Sequence, residues 1–250
     1  MNQPIAKAMI LAAGEGTRLR PHTLTVPKPM LPVAGRPTLE WIALWLRHFG
    51  IREIVVNLHH QPRPVLEYFG DGGAWNLKIT FSVEETMLGT AGGMKRVENL
   101  LQQPFVLVYG DVLTDMDLGK LLAFHLECGG EPHVTLSLCQ ADNPWECGVV
   151  AVDDRHRVTR FEEKPPRERI FSNLTNAGIV VIDPPILKHI PDAGFYDVSC
   201  DLLPKLLQLR IPIFAQRMED DAYSIDIGTP EKYARAEREW PTVRAKQFLE

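Results

Sequence analysis

The sequence predicts an α/β protein: a single wound, mostly parallel mixed sheet with a β-rich subregion in its second half. Three observations carry this. From Ala6 to about Gln140, short β-branched runs alternate with helical periods, the pattern of strands joined by crossover helices. After Ala141 the texture changes to "CGVVAVDDRHRVTRFEEKPP" and "NAGIVVID", strands linked by turns. The chain has 250 residues, enough for one large domain with a well-buried core and cramped for two. We therefore expect one domain over 1–250, with a first part to about residue 140, a second over about 141–228 and a closing helix over 229–250.

In chain order, the first strand is the apolar run Ala8–Ala13. In "TLEWIALWLRHF", Leu39, Ile42, Leu46 and Phe49 recur at three- and four-residue spacing and mark one buried helix face. Trp41 and Trp45 lie off that stripe, which leaves open an oligomer contact or a cover over a neighbouring loop. Strands follow at Glu53–Leu58, Lys78–Val83, Phe105–Tyr109 and His133–Cys139. Beyond the β-rich stretch, "VSCDLLPKLLQL" restores helix, and "IPIFAQRM" and "YSIDIG" restore strand. The closing helix opens at "TPEKYARAEREW", with Thr229 as N-cap and Pro230 at its first position.

Composition narrows the function. A net charge of −5 and a pI near 5.9 argue against a nucleic-acid binder, which needs a basic patch or stripe. The four cysteines Cys128, Cys139, Cys147 and Cys200 show no C-x-x-C spacing, which fits reduced thiols rather than a zinc or disulfide framework. No signal-peptide pattern or membrane-length apolar stretch occurs, so we expect a soluble, cytoplasmic protein with no membrane partner.

The chemistry concentrates behind the first strand, in "LAAGEGTRLRPHTLTVPKP". Gly14-x-Gly16 begins like a dinucleotide fingerprint, but Leu19 occupies the place of the third glycine. No Gly-Lys-Ser/Thr completes a Walker loop either. What remains is a cationic loop in which Gly14 and Gly16 let backbone N–H groups approach a phosphate, beside Thr17 and the planar fork of Arg18. Lys28, between Pro27 and Pro29, adds a point charge on stiffened backbone. Asp111 and Asp226 end the apolar runs "FVLVYGD" and "YSID". Two strand-end carboxylates with a phosphate loop suit Mg²⁺, which takes few protein oxygens and fills its octahedron with water and phosphate. Each alone reads equally well as a loop or cap residue.

"GEGTRLRPHTLTVPKP" resembles the signature of the sugar-phosphate nucleotidyltransferases, the NDP-sugar pyrophosphorylases, most of all members of the mannose-1-phosphate guanylyltransferase type. "EETMLGTAGG", "YGD", "ECGVV", "FEEKP", "NAGI" and "DIGTP" follow in family order, so the resemblance covers essentially the whole chain. It implies a Rossmann-like fold whose β-rich part binds sugar phosphate, and transfer of a nucleotidyl group from a nucleoside triphosphate to a sugar 1-phosphate with Mg²⁺ as cofactor. Carried over, Gly14, Gly16, Thr17 and Arg18 hold nucleotide phosphates, and Lys28 neutralises the reacting ones. Asp111 and Asp226 bind Mg²⁺. Gly148, Glu163, Lys164 and Asn176 hold the sugar phosphate, with Lys164 on its phosphate and Glu163 on ring hydroxyls. Glu84 to Gly89 reads the base, together with backbone near Leu11. Ser224 stands where relatives often have Trp, and Cys147 where they have Tyr; both bear on sugar identity. The resemblance also allows a homodimer, and leads us to expect no left-handed β-helix domain after the closing helix.

The reaction needs no histidine. A sugar 1-phosphate oxygen is already anionic at neutral pH, so attack on the α-phosphorus asks for alignment and charge screening rather than a general base. Arg18, Lys28, Lys164 and the cation at Asp111 would supply that screening. The carboxylate of Glu84 would accept both donors of a guanine edge and repel a uracil or thymine carbonyl, which tilts the expectation to GTP. Alternatives are uridylyl, thymidylyl or cytidylyl transfer, including to phosphocholine, and a catalytically silent regulator that binds nucleotide sugars.

Overall fold

The computed structural model describes residues 5–240 and 247–249. Its strands are β1 (Lys7–Leu11), β2 (Pro32–Val33), β3 (Arg36–Pro37), β4 (Glu53–Leu58), β5 (Lys78–Val83), β6 (Phe105–Tyr109), β7 (Val112–Thr114), β8 (Val134–Gln140), β9 (Gly148–Val152), β10 (Val158–Glu163), β11 (Leu174–Ile182), β12 (Ile213–Arg217) and β13 (Ser224–Asp226). The α-helices are α1 (Thr38–His48), α2 (Pro62–Phe69), α3 (Gly89–Arg96), α4 (Leu118–Glu127), α5 (Leu203–Gln208) and α6 (Pro230–Glu239). The class is α/β with a mixed, mostly parallel central sheet, as the sequence predicts. None of the described helices is long and apolar enough to cross a membrane.

The chain folds as two compact units and crosses between them four times, after Met87, Leu107, Met116 and Asp220. Unit one takes the described residues up to Met87, Val108–Met116, and those from Asp221 onward. Within it β4 runs parallel between β1 and β5, with Leu11 level with Asn57 and Leu58 with Val83. The three strands thus end together, and the loops that leave them emerge at one carboxyl edge. Antiparallel pairing of β13 with β7 sets Asp226 opposite Val112.

The helix predicted over "TLEWIALWLRHF" forms as α1, but it is buried nearly all round rather than along one stripe. Trp41 and Trp45 are interior, donating their indole N–H groups to the Val33 carbonyl at 2.7 Å and the Met116 carbonyl at 3.0 Å. Neither is an oligomer contact, because a buried indole is held by the acceptor it finds inside. Phe49, expected on the stripe, is only half-buried past the helix end. In the closing segment α6 forms with Thr229 capping the Lys232 N–H and Pro230 in its first turn; residues 241–246 and 250 lie outside the described residues.

Unit two comprises Leu88–Leu107 and Asp117–Asp220. Here β8 pairs antiparallel with β11 and parallel with β12, and β9 pairs antiparallel with β10. Thr175 of β11 meets Val149 of β9. The segment "VSCDLLPKLLQL" begins as a π-helical stretch, Val198–Leu202, and continues as α5. Asp197 caps it through the N–H groups of Ser199 and Cys200 at 2.8 and 2.9 Å.

Candidate active site

In unit one the glycine loop leaves β1 at the carboxyl edge. Gly16 is left-handed, with φ 65°, and a Cβ there would stand 2.9 Å from the Thr23 methyl, so glycine is required by the fold. Thr23 fixes this turn by donating its hydroxyl to the Gly16 carbonyl at 2.8 Å. At Gly14 a Cβ would meet nothing within 4 Å: the backbone is bare toward open space, which suits close approach by a ligand. Thr17 and Arg18 follow in a 3-10 turn and are exposed. Lys28 lies between the buried prolines Pro27 and Pro29.

Two carboxylates meet this loop. Asp111 follows Gly110, whose N–H donates to the Leu11 carbonyl at 2.9 Å, an approach so close that a Cβ would sit 2.5 Å from that oxygen. The β7–β13 ladder then brings Asp226 beside Asp111, and the Ile227 N–H donates to the Asp111 carbonyl at 2.9 Å. Lys28 donates its ammonium to the Asp111 carboxylate. Burial works against that carboxylate, yet the Lys28 charge and hydrogen bond, with Arg18 further off, hold its carboxyl below the ordinary range. Arg18 also lies against Gly228, where a Cβ would come within 3.0 Å of its guanidinium and 2.8 Å of Asp226 Oδ1. Two hard carboxylates on neighbouring strands, both partly exposed, are the donor set an Mg²⁺ ion uses when phosphate and water supply its other ligands.

Lys232 is a member of this cluster that sequence reasoning missed. From the first turn of α6 its Nζ donates to Asp226 Oδ2 at 2.5 Å. A lysine on a helix otherwise rich in charge reads as a solvated face, and only the capped turn at Thr229 and Pro230 signals that the helix starts beside a strand-end carboxylate.

Glu84 corrects an expectation. It follows β5, is 2% exposed, and accepts the Asn57 side-chain amide at 2.8 Å. Asn57 in turn accepts the Ala12 N–H at 2.9 Å. The Glu84 carboxylate therefore does not stand open to a base, because the aligned strand ends turn it inward to hold the residue that holds the glycine loop. Leu11, half-buried at the end of β1, contributes its carbonyl to Gly110.

Unit two gathers the residues expected for a sugar phosphate. Gly148 and Glu163 stand opposite each other in the β9–β10 ladder, and a Cβ on Gly148 would lie 2.7 Å from the Phe161 ring and 2.8 Å from Glu163 Oε2. Burial pushes the Glu163 carboxyl up; Lys164 opposes this and Asp197 adds to it. Lys164 adopts a left-handed backbone, φ 46°, and its N–H donates to the Cys147 carbonyl at 2.9 Å. A strained non-glycine residue with an exposed ammonium, 3.7 Å from Glu163, is the kind of feature that clusters at ligand sites. Asn176 accepts the Gly178 N–H at 3.1 Å where β11 loses register against β8, a bulge that re-aims side chains. Gly89, at the start of α3 with φ 78°, is packed so that a Cβ would be 2.5 Å from the Tyr196 carbonyl; its glycine identity has a structural reason.

Residues 7–242 match the family described as Nucleotidyl transferase, and the chain belongs to it. It is 36% identical over 244 residues to a UTP–glucose-1-phosphate uridylyltransferase of Synechocystis, covering 93% of this chain and 62% of that one. It is 37% identical over 235 residues to the mannose-1-phosphate guanylyltransferase of Mycobacterium tuberculosis, covering 91% and 62%. Thus the chain spans about three fifths of the length of these curated relatives. Among solved structures it is similar to HddC from Yersinia pseudotuberculosis complexed with GMP-PN, with TM-score 0.77, 25% identity and coverage of 95% of this chain and all of that one.

Proposed function

We propose that the protein transfers a nucleotidyl group from a nucleoside triphosphate to a sugar 1-phosphate in the cytoplasm, releasing pyrophosphate. The observation that carries this reading is the unit-one cluster, in which Arg18, Lys28 and Lys232 are gathered on Asp111 and Asp226 at the mouth of a bare-backbone loop. Backbone N–H groups at Gly14 and Gly16, with Thr17 and Arg18, would hold the triphosphate. Lys28 would screen the α-phosphate as the anionic sugar phosphate oxygen attacks in line. Asp111 and Asp226 would hold Mg²⁺, which when bound neutralises charge on the phosphates. In unit two, Lys164 would take the sugar's phosphate and Glu163 its hydroxyls, with Asn176 beside them and Gly148 keeping room.

For substrates we propose GTP with a mannose-type hexose or heptose 1-phosphate; the name of the M. tuberculosis relative and the GMP-PN complex of HddC support a guanine nucleotide. The Synechocystis relative favours a second reading, UTP with glucose 1-phosphate. The test is Mg²⁺-dependent pyrophosphate release over a matrix of nucleoside triphosphates and sugar 1-phosphates. The first reading requires the GTP and mannose 1-phosphate cell to dominate. Silence across the matrix in folded protein, with thermal stabilisation by nucleotide retained, would point instead to a regulator.

A further inference from the structure

Unit two contains a second polar cluster that nucleotidyl chemistry does not use. His125 sits near the end of α4, His133 directly before β8 and Asp183 directly after β11. Pairing of Val134 with Ile182 sets His133 beside Asp183, and the two histidine ring centroids lie 4.2 Å apart with the rings tilted by 36°. Both histidines are buried, while the Asp183 side chain keeps 18% of its surface. One ligand atom from each residue can be chosen so that all three lie within 4.8 Å of one another.

The hydrogen bonds around the rings decide what this cluster wants. His133 Nε2 faces the His125 carbonyl at 3.1 Å, which only accepts, so Nε2 carries a proton. Nδ1 lies 2.9 Å from the Glu131 carbonyl and 3.3 Å from Asp183 Oδ2, which makes it the ring nitrogen placed to act as a ligand. His125 is placed alike: in the tautomer whose Nδ1 donates to Thr135 Oγ1 at 2.8 Å, Nε2 is the ligand atom, 3.4 Å from Asp183 Oδ1. Two ring nitrogens and the Asp183 carboxylate thus converge, and the His133 backbone N–H, donating to Asp183 Oδ2 at 2.9 Å, fixes the carboxylate in place. The 3.3 and 3.4 Å separations are long for charge-assisted hydrogen bonds. They leave room for a cation whose metal–ligand bonds are about 2.0–2.1 Å. In those tautomers each ring's N–H is held by an oxygen, the His125 carbonyl for His133 and Thr135 Oγ1 for His125, as metal-binding histidines require.

We propose that His125 Nε2, His133 Nδ1 and Asp183 form a binding site for a divalent cation of the zinc class, with the Glu131 carbonyl or water in the fourth position. Imidazole with carboxylate selects zinc-like ions over Mg²⁺, so this site is separate in chemistry from the carboxylate pair of unit one. It ties the end of α4 and the ends of β8 and β11 together, a structural role.

Metal-stripped full-length protein is titrated with Co²⁺ in excess Mg²⁺, which occupies the hard carboxylate site. One equivalent of Co²⁺ with a tetrahedral visible spectrum and no thiolate charge-transfer band is expected, displaced by Zn²⁺, which also raises the melting temperature. Asp183→Asn should weaken Co²⁺ binding at least tenfold. Thr135→Val, which removes only the outer acceptor, should weaken it about tenfold and keeps the test open if Asp183→Asn fails to fold. Absence of stoichiometric binding, an octahedral or thiolate spectrum, or affinity unmoved by both variants overturns the proposal and leaves the three residues as a hydrogen-bonded cluster.

Discussion

The Lys232 ammonium lies 2.5 Å from Asp226, from the first turn of α6 back to the strand that precedes it. Lys28 holds Asp111 in the same way. Each strand-end carboxylate thus already has one oxygen committed to a lysine, and a divalent cation must share or displace that partner.

Lys232 therefore competes for Asp226. The pair is about one third exposed on both sides, so it is worth only ~0.2–1 kcal/mol. Lys232→Met should shift the Mg²⁺ dependence of turnover to lower concentration by about 1.4- to 5-fold, the same energy expressed as a ratio. Asp226→Asn should raise the Mg²⁺ requirement instead. An Mg²⁺ curve unchanged in Lys232→Met would show that the lysine is only a surface contact.

Asp111 carries both charge and stability. Its folded-state carboxyl lies below the ordinary value of 3.8, so its contribution is in place above that pH and is lost as pH falls through the lower folded value. Asp111→Asn should collapse turnover and also destabilise by about 1–3 kcal/mol at neutral pH, since the Lys28 ammonium keeps at most a neutral acceptor and loses its charged partner. The variant should show a shallower loss of stability on acidification. Adding Lys28→Met should restore part of the melting temperature but none of the activity. Denaturant melts from pH 7 down to 2 measure both effects.

Gly14 and Gly16 separate function from fold. Gly14→Ala places its methyl in open space, so the melting temperature should stay within a degree or two while the KM for nucleoside triphosphate rises tenfold or more. Gly16→Ala combines a positive φ with contact against Thr23 and should cost ~1–3 kcal/mol. If both variants behave alike, Gly14 is not a ligand contact.

The loop, Lys28, Asp111 and Asp226 were legible in sequence because each is marked locally, by glycine, by flanking prolines or by the end of an apolar run. Strand ends could be read, and their alignment followed from the parallel class. Side-chain direction could not: Glu84 turns inward because Asn57 lies level with Leu11 on the next strand, a register no linear pattern shows. Trp41 and Trp45 found backbone acceptors that only the folded chain supplies. Helix α3, "GTAGGMKR", runs against propensity and is held by the Ala91 and Gly92 N–H groups on the Tyr196 carbonyl at 2.9 and 3.0 Å. His125, His133 and Asp183 are 8 and 50 residues apart in the chain, and each alone reads as an ordinary core or turn residue.

Glu163 pays a stability cost for its position. Burial raises its carboxyl above the ordinary value of 4.5, against the pull of Lys164. A raised carboxyl favours the fold below that ordinary value, and the benefit disappears as pH climbs through the folded value, so ionised Glu163 is a liability at neutral pH. Glu163→Gln should raise the melting temperature at pH 7 and leave it little changed near pH 4. The same variant should raise the KM for sugar 1-phosphate tenfold or more with the KM for triphosphate nearly constant. A lower melting temperature at pH 7 would mean that the Lys164 pairing outweighs burial.

Glu84 and Asn57 form a relay that ends on the glycine loop: carboxylate to amide at 2.8 Å, then amide oxygen to the Ala12 N–H at 2.9 Å. All of it is buried. Glu84→Ala leaves the Asn57 amide without this acceptor and should cost ~1–3 kcal/mol, or about 2–12 °C for a chain of this size. Glu84→Gln keeps a carbonyl that can accept from Asn57 and should cost less than half as much. Because the carboxylate has almost no accessible surface, neither variant should move the ratio of GTP to UTP turnover by more than about threefold, whereas a charged hydrogen bond made directly to the base would be worth roughly ten- to a hundred-fold. Instead both should raise the KM for every triphosphate together, as the loop loses its anchor at Ala12. A swing of tenfold or more from GTP toward UTP in Glu84→Gln would show that the carboxylate reaches the base after all, and that the interior position changes when nucleotide binds.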